Sequence, residues 1–172
     1  MPGTTHLLYL HGFRSSPASA KARQMAAWLA AHRPDVHWWC PQLPPSPAAA
    51  WSLIQQGTAT WPVAEMAVVG SSLGGFYATA VAEATGCPAV LLNPAVDPAR
   101  DLARHVGTQT QFHAPDETFF FDPAFIDELR ALTVPAITRP QRYAAVVAQG
   151  DEVLSWQEMT GRYPGAHIRL LP

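Results

Sequence analysis

The sequence predicts an α/β protein: a mostly parallel sheet of about six strands with helices on both faces. Two observations carry this expectation. Short, near-continuous apolar runs recur along the chain, and segments with helical spacing separate most of them. Strands buried on both faces read this way, and parallel neighbours need helical crossovers between them. A third observation sets the scale: 172 residues, 48% of them hydrophobic, suffice for one domain over 1–172 with a sizeable core.

The elements follow in order. The run at 7–10 reads as the first strand and leads into His11-Gly12-Phe13-Arg14-Ser15-Ser16, a loop whose glycine lets backbone approach a ligand. Ser19 then opens a helix that sets Met25, Trp28 and Leu29 on one face. A strand at 36–40 gives way to the proline-rich loop Pro41 to Pro47, and Trp51, Leu53 and Ile54 mark a second helix. The run at 66–69 enters Gly70-Ser71-Ser72-Leu73-Gly74-Gly75 and then a helix, and a strand at 89–92 ends in Asn93-Pro94. From about 96 to 138 the alternation lapses, so this region is expected to be an inserted, lid-like excursion. Its aromatic run Phe119-Phe120-Phe121 and a short helix near 125–132 would pack onto the body, wall an acyl chain, or do both. Strands at 143–148 and 167–171 complete the sheet, with Gln149-Gly150-Asp151-Glu152 after the first of them.

Composition removes several function classes. A formal charge of −2 with scattered arginines gives no attraction for a phosphate backbone, so nucleic acid is not an expected partner. The apolar runs are strand-length, short of the roughly 20 residues of a membrane span, and no basic segment precedes Leu7 as a signal peptide requires. A soluble, unexported, cytoplasmic protein is expected. Cys40 and Cys87, each before a proline and without CxxC spacing, read as buried reduced thiols. The histidines are dispersed, and Pro34 separates His32 from His37, so neither a metal nor a cofactor is expected. Nothing in the sequence specifies an oligomeric state.

In open α/β sheets ligands bind beyond the carboxyl ends of the strands, so the polar residues just after each apolar run carry the chemistry. Gly70-x-Ser72-x-Gly74, between a strand and a helix, fits the nucleophile elbow of α/β-hydrolases, in which small residues let the chain turn sharply and lift one hydroxyl above the sheet. Ser72 is the candidate nucleophile. During attack an ester carbonyl gains negative charge, which two fixed N–H donors stabilise; the backbone amides of Phe13 and Leu73 are the candidates. His11 reads as a structural residue shaping its loop. Asp151, on a turn after the strand at 143–148, is the candidate acid that orients an imidazole, with Asp97 as the alternative.

With these residues in place, the chain resembles the YqiA-like group of small bacterial α/β-hydrolase esterases. The matching stretches are Leu8-Tyr9-Leu10-His11-Gly12-Phe13 with Ser15-Ser16, Pro41-Gln42-Leu43-Pro44, Val69 to Ala78, Asn93-Pro94-Ala95 and Gly150-Asp151-Glu152-Val153-Leu154. The resemblance implies a serine esterase that acts on a small-molecule ester or thioester, with Ser72 as nucleophile and Asp151 as acid. It also implies a histidine soon after the last strand, in a segment like Gly-Gly-Asp/Asn-His, followed by a helix. The sequence given ends at Pro172, before either, so the natural chain is expected to continue and the face near the last strand to expose apolar area. Of the histidines present, His167 opens the last strand, far from the carboxyl edge, and His113 is the improvised alternative base. An acyl-CoA-type thioesterase and a non-catalytic acyl-binding protein are the rival readings.

Overall fold

A computed structural model describes residues 3–172. Eight strands run in chain order: β1 (His6–Leu10), β2 (His37–Trp39), β3 (Met66–Ser71), β4 (Ala89–Leu92), β5 (Gly107–Thr110), β6 (Thr118–Phe121), β7 (Tyr143–Ala148) and β8 (His167–Leu171). Six of them form one sheet in the order β2-β1-β3-β4-β7-β8, every neighbouring pair parallel. The helices are α1 (Ala20–His32), α2 (Pro47–Thr58), α3 (Leu73–Thr85), α4 (Pro98–Leu102), α5 (Ala124–Leu132) and α6 (Trp156–Arg162). The expected α/β architecture is therefore present.

Local chemistry sets the helix starts. Ser19, Ser46 and Ser155 accept hydrogen bonds from the amides of Ala22, Ala49 and Glu158, each meeting a donor left free at a helix N-terminus. Pro47 adds a preset φ at the first turn of α2. At the other end of α3, Gly86 takes φ 80° and its N–H returns to the Ala82 carbonyl.

The main core lies between the sheet and α2, α3, α5 and α6. Leu8, Leu10, Val68, Leu91, Ala145 and Val147 meet Ile54, Tyr77, Val81, Leu129, Met159 and Tyr163 there. Buried polar groups in this layer are paired: the Thr79 and Tyr163 hydroxyls lie 2.8 Å apart, and Glu83 on α3 accepts from the Tyr143 hydroxyl at 2.7 Å. A smaller cluster of Tyr9, Ala22 and Val69 occupies the opposite face, where α1 contributes Ala22 and Met25. Trp28 is on the solvent side of α1, 55% exposed, and stacks on His32 at 4.7 Å, so it does not share the inward stripe with Leu29.

The region between β4 and β7 is more regular than the sequence suggests. Strands β5 and β6 pair antiparallel as a hairpin, from Gly107 opposite Phe121 to Thr110 opposite Thr118. Of the aromatic run, Phe121 is in the main core and packs edge-on to Phe125, whereas Phe120 faces outward. Asp97 caps α4 by accepting from the Arg100 amide. Cys40 is half-buried rather than buried, and burial pushes its thiol up to about 11, so it stays protonated at neutral pH.

Candidate active site

The strand order reverses direction at β1, with β2 on one side and β3 on the other. That reversal opens a crevice beyond the carboxyl ends of β1 and β3, the place where open α/β sheets take ligands. Ser72 and the loop after β1 both lie there.

Ser72 joins β3 to α3 with φ 56° and ψ −118°, a conformation a side-chain-bearing residue adopts only when its surroundings enforce it. The enforcing bonds are visible. Its N–H donates to the Leu92 carbonyl at 3.0 Å, and its own carbonyl accepts from Gly75 and Ala95, both at 2.9 Å. The neighbouring glycines make room for the turn: a Cβ on Gly70 would collide with the Gly74 carbonyl, and one on Gly74 with the Leu10 carbonyl. Strand β1 and helix α3 thus touch backbone to backbone beneath the serine.

The loop after β1 closes over the same point. A Cβ on Gly12 would lie 3.3 Å from the Ser72 Cβ and 3.8 Å from its hydroxyl oxygen, so the loop backbone runs directly beside the hydroxyl. Neither the Phe13 nor the Leu73 amide donates to an acceptor among the described residues. His11 is buried; its Nδ1–H donates to the Gly12 carbonyl at 2.9 Å, while Nε2 accepts from the Leu43 amide at 2.9 Å. An amide donor fixes Nε2 as the unprotonated nitrogen, and burial pushes the ring's pKa below its ordinary value. His11 therefore ties the proline-rich loop to the glycine loop, the structural role its position suggested.

Asp151 follows β7 and reaches the same cavity as Ser72. Its Oδ1 accepts from the Val153 and Leu154 amides, both at 2.8 Å, and its Oδ2 takes no bond from the described residues. Asn93 carries the turn to this position. With φ 43°, it donates its N–H to the Val146 carbonyl and accepts from the Ala148 amide at 2.7 Å, locking the end of β4 to the end of β7. Asp97, the alternative acid, is not among the residues lining the cavity.

That cavity has a volume of about 410 Å³; Ser72, Asp151, Phe13, Ala95, Leu102 and His105 are among the residues that line it. A groove of about 360 Å³ lies on the other side of Ser72 and Phe13 and is lined by Ser15, Ser19, Lys21 and Ser71. His113 is exposed in the loop between β5 and β6 and does not reach the cavity; His105 does. Sequence reasoning missed His105 because it sits in a 3₁₀ turn within the irregular region; the adjacent basic pair Arg104-His105 is the signal that could have found it. His167 pairs with Ala144 at the amino end of β7, remote from Asp151. Among the described residues no group of three or more His, Cys, Asp or Glu side chains could hold a metal ion, and no helix is long and apolar enough to cross a membrane.

Solved structures share this fold at low sequence identity. The mouse alpha/beta hydrolase domain-containing protein 10 superposes with a TM-score of 0.71 at 14% identity, covering 98% of this chain and 79% of that one. Est1E from Butyrivibrio proteoclasticus gives 0.66 at 11% identity over 100% and 79%, and a thioesterase domain from the curacin biosynthetic pathway gives 0.62 at 13% over 98% and 84%. The fold is thus that of the α/β-hydrolases. A family model matches residues 6–169, from the first strand to the last, and on that match the chain belongs to the YqiA-like group, the uncharacterised protein family UPF0227.

Proposed function

We propose that this protein is a cytoplasmic serine hydrolase that cleaves carboxylic esters through an acyl-enzyme, with Ser72 as the nucleophile. The observation that carries the reading is the position of Ser72. It is held at a strained strand–helix elbow, with the glycine loop against its hydroxyl on one side and Asp151 in the same cavity. Strain of this kind persists where a site over-determines it, at roughly 1–3 kcal/mol per residue.

In this reading the Ser72 hydroxyl gives its proton to a histidine as its oxygen attacks the ester carbon. The Phe13 and Leu73 amides hold the resulting oxyanion, and the histidine returns the proton to the leaving alcohol. Water then repeats the sequence on the acyl-enzyme and releases the acid and the serine. Asp151, through its free Oδ2, orients the histidine and stabilises its charged form. The histidine is the one that the family resemblance implies soon after the last strand. In support, Leu171 pairs with Ala148 and its carbonyl accepts from the Gln149 amide at 2.8 Å, so chain continuing from β8 leaves the sheet beside the Asp151 turn.

Within 96–138, the tip at 113–116 between β5 and β6 is the part left to act as a lid, because Phe121, Ile126 and Leu129 anchor the rest in the core and the Phe112 amide donates to the Arg14 carbonyl at 2.9 Å. The apolar cavity suits the acyl chain and the hydroxyl-lined groove suits the leaving group. A thioesterase is the second reading, favoured by the fold likeness to a thioesterase domain; matched oxygen esters and thioesters separate the two by their rates.

Fluorophosphonate labelling with mass-spectrometric mapping tests the proposal, on this chain and on one extended past β8 by the histidine-bearing segment that the resemblance implies. Labelling of Ser72 that rises with the segment is expected, along with a fall in ester turnover on the order of 10⁶ in Ser72→Ala. Hydrolysis that survives Ser72→Ala would overturn it.

A further inference from the structure

The cavity at Ser72 is apolar along most of its wall, where Ala95, Pro98, Leu102, Val153 and Leu154 face it, yet Arg14, Arg104 and His105 also line it. Arg14 is held rigidly without being neutralised. Its Nε donates to the Thr110 carbonyl at 2.7 Å, its Nη2 to the Thr110 hydroxyl at 2.9 Å, and the guanidinium carbon lies 4.2 Å from the centre of the Phe112 ring. None of these partners is charged, and Nη1 has no acceptor among the described residues. Among the described residues no carboxylate lies within salt-bridge distance of Arg14 or Arg104.

Of the two carboxylates that line the cavity, Asp101 pairs with Arg100 at 2.9 Å, although its buried Oδ2 has no partner, and Asp151 uses Oδ1 on two backbone amides and keeps Oδ2 for the histidine, so neither pairs with Arg14 or Arg104. His105 reports the balance at the wall. Its pKa is pushed below the ordinary value, first by burial and then by the positive charges of Arg104 and Arg14. Both guanidiniums therefore act on one ring that faces the cavity. A fixed, unneutralised guanidinium beside apolar surface is the arrangement that recognises planar or tetrahedral oxyanions, and low local dielectric strengthens the attraction.

We propose that the part of the substrate seated in the Ser72 cavity carries an anionic group, a carboxylate or a phosphate, which Arg14 and Arg104 bind beside an apolar chain. This specifies the substrate class of the site described above, and it rests on that site being where substrate binds. It does not require turnover.

The test is ligand titration of the Ser72→Ala protein followed by NMR of the histidine rings, with His105 assigned through His105→Gln. Hexanoate, hexanamide and hexyl phosphate are the probes. Hexanoate or hexyl phosphate is expected to bind at least tenfold more tightly than hexanamide and to raise the midpoint of the His105 titration by about one pH unit. Arg104→Gln, an exposed replacement, is expected to weaken the anion by about tenfold. The tighter of the two anions identifies the group. Equal binding of acid and amide would overturn the proposal, as would anion binding that leaves His105 unmoved. Neither result depends on whether Ser72 reacts with a fluorophosphonate, so failure here is distinct from failure of the esterase reading.

Discussion

Along β4 and β7 burial alternates residue by residue: Leu91 and Val147 are 0% exposed, while their neighbours Val90, Leu92, Val146 and Ala148 are only half-buried. The first set faces α2, α3, α5 and α6. The second faces the side on which α1 supplies the helical residues of the small cluster, near β1 and β3. A parallel sheet covered evenly would show no such alternation. The difference teaches where the site draws its rigidity. Helix α3, whose first turn holds the elbow, is pressed into the heavily packed face, so the strain at Ser72 is offset by a layer with little freedom to relax. The lighter face contributes little to that support.

The largest effect should come where the heavy face touches the elbow. Gly74→Ala would drive a methyl group into the Leu10 carbonyl, backbone against backbone, and only separation of α3 from β1 relieves it. A loss of at least ~3 kcal/mol in urea unfolding is expected, with disappearance of Ser72 labelling. Gly161→Ala is the contrast: nothing lies within 4 Å of the added Cβ on α6, and the change should be neutral or stabilise by up to about 1 kcal/mol. Similar losses from the two would mean that the elbow is not tightly braced.

Substitutions within one strand compare the faces directly. Leu91→Ala removes a fully buried side chain and should cost about 2–5 kcal/mol, whereas the half-buried Val90→Ala should cost about 1 kcal/mol or less. A pair of equal losses in denaturant midpoint would show that the second face is covered in solution by something the described residues do not include.

Much of this was legible in the sequence, and the limits have physical causes. The six sheet strands are short apolar runs, and a parallel strand in a sheet needs little else to declare itself. The elbow was equally plain because its glycines answer to backbone contact, which permits no substitute at Gly70 or Gly74. The β5–β6 hairpin was hidden: Gly107-Thr108-Gln109-Thr110 lacks an apolar face, and Phe119-Phe120-Phe121 hides the alternation that its burial shows. Asn93 reads in the sequence as part of a motif, whereas its role as the clamp between β4 and β7 depends on a register no single strand encodes. His105 entered the cavity through a tertiary turn, beyond the reach of periodicity.

The smallest effect concerns the edge where the two faces meet. His11 follows β1 and ties the glycine loop to the proline-rich loop through two bonds, one of which requires an unprotonated Nε2. Its folded pKa lies below the ordinary 6.5, so between the two values the unfolded chain binds a proton that the folded protein refuses. The stability due to neutral His11 is therefore fully present above about pH 6.5 and is lost as pH falls through that value toward the depressed folded one. His11→Asn removes this titration while keeping a polar side chain. Denaturant midpoints for the two proteins should run parallel above pH 7 and converge as pH falls to 5, because only the original histidine loses its bond to Leu43. A gap that stays constant across this range would show that His11 shapes the loop by volume alone, and that the edge is as indifferent to charge as the core behind it.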